Sequence, residues 1–270
     1  MDSDIHQLVT LFPDIAIQLR SAMSNLHLAA ALLAPAERRE TDPVLDKQAA
    51  LLDQSYYRLQ RLVNNLTALA DLDQEDPPPE RDQDIVETVA AVFESTVSLA
   101  ELMGIHLSFV CAMDHCICAF RKEDLEQILF QLLSNALKFT PRGGSVTVEL
   151  KRSGSLLLLS VADTGCGIPQ DRLDTLFDQF LRQDRMAPYP HGMGLGLSIC
   201  RRLAARMGGS LLARSREGQG SCFTLSLPDR QCGRVSLSDV PFDYTGGFNR
   251  TLLALADALP AEAFRYRSQT

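Results

Sequence analysis

A chain of 270 residues with 46% hydrophobic content is long enough for two modest domains and can bury a sizeable core. A formal net charge of -8, no Trp and 6% aromatic residues argue against nucleic acid or an anionic membrane as the main partner. Seven scattered Cys, odd in number and without a CxxC pair, argue against a disulfide framework or zinc site and point to reduced thiols in a cytoplasmic protein.

The elements follow in chain order. No basic region followed by an apolar stretch opens the chain, and the longest helical apolar run, LAAALLA from Leu28, is too short to span a bilayer. Neither a signal peptide nor a direct membrane span is therefore expected, and a membrane sensor would sit on another protein. Ile15, Leu19, Ala22, Leu26, Ala29 and Leu33 recur at spacings of four and three, which predicts a helix with one apolar stripe. APAERRETDP, from Ala34, reads as a turn. Leu45, Leu52, Leu59 and Leu66 then fall seven apart, with Leu62 and Leu69 at a second heptad position, predicting a longer helix. A two-helix hairpin cannot bury both stripes alone, so residues 1–75 are expected to pair with a second copy in a dimeric four-helix bundle.

DQEDPPPERDQD, from Asp73, reads as a linker. A helix is expected over Ile85–Met103 and two short strands, read as a hairpin, around Met113–His115. A strong helix over Lys122–Phe139 ends at TPRGG, and a strand hairpin turns at Ser153 and Gly154. A short helix near Leu173–Leu181, a loop, a helix from Leu195 to Met207 and two closing strands complete residues 76–228. The intermixing is that of an α/β sandwich within an α+β chain, not of strict βαβ repeats. In the extension 229–270, GGFNRTLLALADALP predicts a short amphipathic helix with Phe248, Leu252, Leu255 and Leu259 on one face. It reads as a helix docked on the core, or as a partner-binding or regulatory element.

Four short motifs carry the chemistry. In QLLSNALKFT, Gln131–Thr140, Asn135 offers a carbonyl oxygen suited to Mg²⁺ between phosphates, and Lys138 lies one turn on with a charge for a phosphate. In DTGCGIP, Asp163–Pro169, a buried carboxylate could accept a hydrogen bond from an adenine amino group, with glycines admitting the backbone to the base. LFDQF, Leu176–Phe180, is apolar at helical spacing, so Phe177 and Phe180 taken alone read as core. HGMGLGL, His191–Leu197, is glycine-rich and opens a helix, whose free N–H groups form a phosphate cradle. Each motif is weak alone, but their order is specific. Cys166 reads as a passive small residue.

With these motifs the stretch Ile105–Pro228 resembles the ATP-binding catalytic domain of sensor histidine kinases, among the Bergerat-fold (GHKL) ATPases. The four motifs match its N, G1, F and G2 boxes, and GQGSCFTLSLP matches its closing strand. The resemblance implies a mixed sheet in an α/β sandwich, ATP and Mg²⁺ as cofactors, and membership of two-component signal transduction. It implies Asn135 as metal ligand, Asp163 as adenine partner, and Lys138, Gly165, Gly167, Ile168, Phe177, Phe180, Gly192, Gly194, Leu195 and Gly196 around the nucleotide. Arg182–His191 would be the lid. Gln131 departs from the pattern: histidine kinases commonly have a second Asn there, and ATP-hydrolysing relatives a catalytic Glu. Gln cannot serve as a general base, which argues against a gyrase- or chaperone-type hydrolase.

SYYRLQRLVNNLTALADLD, from Ser55, resembles the second helix of the family's dimerisation and phosphotransfer hairpin. The partner helix should carry H-E-L-R-T-P-L, and the matching stretch runs from Ile17 to Met23. Leu19 and Arg20 agree, but Ile17 stands for the histidine and Gln18 for its acidic neighbour. Isoleucine has no nitrogen to accept phosphorus, and loss of a positioned base alone typically removes about 10²–10⁴ in rate. His6, His27, His106, His115 and His191 each lack the motif and read as ordinary histidines. No confident catalytic residue remains. The chain is expected to be a histidine-kinase-like ATP-binding protein that does not autophosphorylate at the usual position. The alternative is a signalling adaptor or phosphatase that docks a response-regulator receiver domain, with Ser21 at the motif's Thr position. A serine kinase of the anti-sigma-factor type is disfavoured by the hairpin and by Gln131.

Overall fold

The structure is a computed structural model that describes residues 2–72, 79–173, 176–177, 195–234 and 249–266. The chain divides into two compact units, Met1–Pro77 with Leu259–Thr270, and Pro78–Ala258. The C-terminal extension thus contributes to both.

The first unit is built on α1 (Asp2–Leu33) and α3 (Pro43–Asp71), joined by a short helix, α2 (Ala36–Thr41), inside the stretch expected as a turn. Asp42 ends the connection. Its carboxylate accepts from the N–H groups of Val44 and Leu45 at 3.0 and 3.1 Å, and Pro43 at the first position of α3 needs no N–H partner. His27 of α1 stacks on Tyr56 of α3 along the seam, and Ala16 and Met23 on α1 and Ala49, Ala50, Tyr56 and Val63 on α3 are buried. Arg20 adds hydrogen bonds to Asn64 and Thr67 at 3.3 and 3.1 Å. The apolar stripes read from the sequence are not this seam. Leu26 and Leu33 are 69% and 76% exposed, and Leu52 and Leu59 are 52% and 51% exposed. Small alanines let the two helices approach, and the larger leucines lie outside the contact.

The second unit places helices on one face of a five-stranded mixed sheet. Its strands are β2 (His106–Cys111), β4 (Ser145–Ser153), β5 (Leu156–Asp163), β6 (Ser210–Arg216) and β7 (Gly220–Pro228), in the order β2-β4-β5-β7-β6. The β2–β4 pair is parallel and the others are antiparallel. The register aligns Leu150 with Leu159, Leu159 with Leu225 and Leu225 with Leu211, all buried, so period-2 alternation delivers one apolar face. On the other face hydroxyl pairs bridge strands, Ser108 with Thr147 and Ser160 with Thr224, at 3.1 and 2.9 Å.

Two expectations are corrected here. The linker read from Asp73 ends in a strand: β1 (Arg81–Asp84) pairs antiparallel with β3 (Ile117–Phe120). The strands expected as one hairpin therefore belong to different sheets, and His115 lies between them, its Nδ1 2.7 Å from Asp84 Oδ2. Asp84 also caps α4 (Ile85–Leu102) through the Val86 N–H at 2.9 Å. Asp82 is buried, and the N–H groups of Cys232 and Gly233, at 2.8 and 2.7 Å, hold its carboxyl below the usual carboxylate range.

The central helix, α5 (Lys122–Phe139), is buried on most of its circumference. It packs against β5, α4, α7 (Leu195–Arg206) and α8 (Arg250–Leu255). Two ion pairs set this arrangement: Asp124 with Arg206 of α7, and Glu126 with Arg250 of α8. Asn249 caps α8 through the N–H groups of Thr251 and Leu252, both at 3.0 Å. Leu252 and Leu255 are buried, whereas Phe248 lies outside the described residues. The helix expected near Leu173–Leu181 is not where the described one lies: α6 (Gln170–Leu173) meets that stretch only at Leu173, and the rest of it, apart from Leu176 and Phe177, is outside the described residues. Among the described residues no helix is long and apolar enough to cross a membrane.

Because Leu255 is fully buried against this helical layer, Leu255→Ala is expected to destabilise the second unit by about 2–5 kcal/mol in urea denaturation. An unchanged midpoint would remove α8 from the core.

Candidate functional site

Asp163 is the last residue of β5, the central strand, opposite Ser221 of β7. Its Oδ1 accepts from the N–H groups of Gly165 at 2.8 Å and Ser221 at 3.2 Å. Burial raises the Asp163 pKa above the ordinary carboxylate value, outweighing the two N–H donors that lower it. Among the described residues Oδ2 receives no hydrogen bond. A half-buried carboxylate with one oxygen unfilled is suited to a donor from outside the protein.

The loop after Asp163 is fixed by main-chain contacts. Cys166 donates to the carbonyl of Phe139 at 3.3 Å, Gly218 donates to that of Cys166 at 2.7 Å, and Ile168 donates to Ser215 Oγ at 2.8 Å. Glycine is required where the chain passes closest. A Cβ on Gly165 would lie 2.5 Å from the Phe139 carbonyl oxygen, and one on Gly167, where φ is +67°, 2.1 Å from that of Arg216. The end of α5 is thereby tied to the loop.

On α5, Gln131, Asn135 and Lys138 follow at four- and three-residue steps, so they share a face. Gln131 lies against the start of α7, its Oε1 2.8 Å from where a Gly196 Cβ would stand. Asn135 is half-buried, and no described residue hydrogen-bonds its amide. Lys138 Nζ lies 5.4 Å from the Phe139 ring centroid. Leu195 is buried at the first turn of α7, and Arg201 stacks over Phe177 at 5.8 Å.

The structure therefore brings the Asn135 face of α5, the Asp163–Ile168 loop and the start of α7 to one place. Phe180, Gly192, Gly194 and the lid Arg182–His191 lie outside the described residues. Ser215, Ser221 and Gly220 were not legible as site residues. They are brought to the Asp163 loop by sheet register, and only the glycines of EGQGS hint at a close approach there. In the first unit, Ile17 is 59% exposed on α1 and Gln18 is exposed beside it. His27 stacks on Tyr56 with ring centroids 4.4 Å apart.

Residues 121–231 match the family described as histidine kinase-, DNA gyrase B-, and HSP90-like ATPase. The adaptive-response sensory kinase SasA of Synechococcus elongatus is 40% identical over 105 residues, 38% of this chain and 27% of that protein. The sensor protein SrrB of Staphylococcus aureus is 28% identical over 223 residues, 80% of this chain and 37% of SrrB. Full-length ShkA in complex with AMPPNP superposes with a TM-score of 0.66 at 26% identity, covering 83% of this chain and 46% of ShkA. The histidine kinase ThkA in complex with the response regulator protein TrrA gives 0.56 at 18% identity, covering 83% of this chain and 64% of ThkA. The chain spans between 22% and 37% of the length of such curated relatives.

Gly220, at φ +89°, offers a test of the floor beneath Asp163, because its Cβ would meet the Asp163 carbonyl oxygen at 1.9 Å. Gly220→Ala is expected to cost at least about 1–2 kcal/mol from the left-handed backbone alone, with the clash added. Gly218→Ala, at φ +74° with nothing within 4 Å, should cost only the backbone part. Thermal melts compare the two, and equal losses would show that the close approach carries no weight.

Proposed function

We propose, from the match of residues 121–231 to the histidine kinase-, DNA gyrase B-, and HSP90-like ATPases, that this chain is a cytoplasmic ATP-binding protein of two-component signalling that does not phosphorylate itself at residue 17. The observation that carries the nucleotide reading is Asp163, held at one oxygen by two N–H groups and unfilled at the other, in the family's G1 position. In this reading Asp163 takes the adenine amino group and Gly165, Gly167, Ile168, Leu195 and Gly196 shape the pocket. Asn135 supplies a hard oxygen for Mg²⁺ and Lys138 a charge for phosphate. A Mg²⁺ held by Asn135 would supply neutralisation of phosphate charge. No cluster of three His, Cys, Asp or Glu suited to a metal occurs among the described residues. ShkA, whose complex contains AMPPNP, lends support. Free cysteines support the cytoplasmic location.

The hairpin is proposed to form a homodimer through residues 1–75. Large side chains left open on both helices, among them Ile15, Leu26, Leu52 and Leu59, support a second copy as their cover. A response-regulator receiver domain is the proposed signalling partner, supported by the ThkA–TrrA complex. A second reading is favoured by one observation: Ile17 and Gln18 are exposed where acceptor and base would stand. The hairpin would then act as an adaptor or as a phosphatase on a bound regulator, with exposed Ser21 at the motif's Thr position.

Asp163→Asn is expected to weaken ATP binding by about 1.5–3 kcal/mol, roughly 10- to 150-fold, in calorimetry. The raised pKa gives a sign to the pH dependence. Adenine donation needs the ionised form, so affinity should fall as pH drops through the raised value. The burial of this group, conversely, favours the fold at low pH and ceases to do so as pH rises past it. The Asn variant should lose the affinity trend, and identical ATP titrations for the two proteins would remove Asp163 from the site.

Labelled ATP tests the acceptor. The wild-type chain should carry no acid-labile phosphate on its hairpin, whereas Ile17→His combined with Gln18→Glu should gain it. Acid-labile label on the wild-type hairpin would overturn the proposal that this hairpin takes no phosphate.

A further inference from the structure

The last described residues of the chain lie on the hairpin unit, and their contacts are those of a bound peptide. Leu259 gives its carbonyl to Gln54 Nε2 at 2.7 Å, and Phe264 gives its carbonyl to Arg39 Nη2 at 2.8 Å. The Tyr266 N–H donates to Asp46 Oδ1 at 3.2 Å. Between these main-chain anchors a single 3₁₀ turn, Ala261–Phe264, follows Pro260. Leu259, Ala263 and Phe264 are at most 1% exposed, and the Phe264 ring lies 5.3 Å from that of Tyr57.

The receiving surface is prepared for this geometry. Arg39 uses its whole fork: Nε to Asp46 at 3.0 Å, Nη1 to Asp53 at 2.8 Å, and Nη2 to the strap. The two carboxylates orient the guanidinium so that its remaining N–H groups face a main-chain carbonyl. Gln54, itself buried, presents its amide to a second carbonyl. These groups read the backbone, while apolar burial reads the side chains at the first and sixth positions of the segment. Without the strap, Arg39 and Gln54 would each lose a partner and Tyr57 would lose a neighbouring ring tilted at 53° to its own. Such a surface calls for an occupant of the same chemistry.

We propose that the hairpin carries a peptide-binding site for a Leu-Pro-x-x-x-Phe segment, occupied in cis by residues 259–266 as a releasable strap. The proposal stands independently of whether ATP is bound or turned over. The segment has no regular structure beyond one 3₁₀ turn, so it can leave as a piece without unwinding α3. While seated, it closes the site to any other peptide.

Two measurements on the full chain test this. Hydrogen exchange of the wild-type protein should show the amides of 262–266 opening together at least tenfold more readily than those of α3 between Ala49 and Tyr57. Exchange of both segments only through a common unfolding event would make the strap permanent core and overturn the proposal. The second uses a fluorescent peptide with the sequence of Ala256–Thr270. It should bind Phe264→Ala, whose strap is loosened, at least tenfold tighter than it binds the wild-type chain, and the added change Arg39→Ala should abolish that gain. Equal binding to the wild type and to Phe264→Ala, or loss of hairpin helicity in Phe264→Ala by circular dichroism, counts against a releasable strap. Retained binding in the double variant counts against the assigned site.

Discussion

The constraint on which the second unit depends is the burial of α5. A helix that covers a sheet normally leaves a polar face to water, but here Leu125, Ile128, Leu129, Leu132, Leu133 and Leu137 are all inaccessible, and Asp124, Glu126 and Gln131 are buried beside them. Such a helix needs cover on the sides away from the sheet, and α4, α7 and α8 supply it. The acids decide which helix goes where. A buried carboxylate is costly unless paired: Asp124 is met by Arg206 and by Arg121 beside it at 3.5 Å, and Glu126 by Arg250. The net stabilisation from such pairs is small once desolvation is counted, yet a misplaced helix would leave a charge unpaired. Their contribution is therefore to register: they hold α7 and α8 against one stretch of α5. With those sides closed, the strip bearing Gln131, Asn135 and Lys138 is fixed relative to the start of α7.

The floor of the site depends on a second constraint, close approach of main chains. Carbonyls of Phe139, Asp163 and Arg216 come so near to Gly165, Gly220 and Gly167 that no side chain fits. These contacts bind α5, the Asp163 loop and the β6–β7 turn together without any side chain occupying the space between. The result is a carboxylate in a place where burial works against its charge and two N–H groups work for it. A donor at the unfilled oxygen would add to the second effect and offset the first.

The sequence was most informative where one periodicity had one cause. Lys122–Phe139 is a helix with the expected bounds, and the β4–β5 hairpin turns at Gly154 and Ser155, one residue beyond the expected Ser153 and Gly154, because Ser153 still pairs with Leu156. The close approaches at Gly165, Gly167 and Gly196 fall in glycine-bearing stretches that are distinctive in the sequence. Non-local pairing was not legible. Arg81–Asp84 carries no apolar alternation and becomes a strand only because β3 lies beside it. β2 and β3 look like neighbours in a hairpin, yet β2 joins β4 in parallel, a partner 39 residues away across α5. Ser221 reaches Asp163 only through the register of β5 and β7. The strap is the extreme case: Phe264 and Arg39 are separated by 225 residues, and nothing within LPAEAFRY announces its partner.

The two faces of α1 answer different requirements. One side is buried at Ala16 and Met23; the remainder of the helix leaves Ile15, Ile17, Leu19 and Leu26 each between 44% and 69% exposed. A single exposed isoleucine needs no explanation. Ile17 stands two residues from both Ile15 and Leu19, so on a helix it points well away from their stripe. Leu28, three turns further on and 61% exposed, shares its side of α1. A histidine at residue 17 would bring a ring that titrates near neutrality, whereas isoleucine carries no atom that can hold phosphate. The Asp163 loop and α5 are built from residues of the second unit alone, so their geometry does not depend on the chemistry of residue 17.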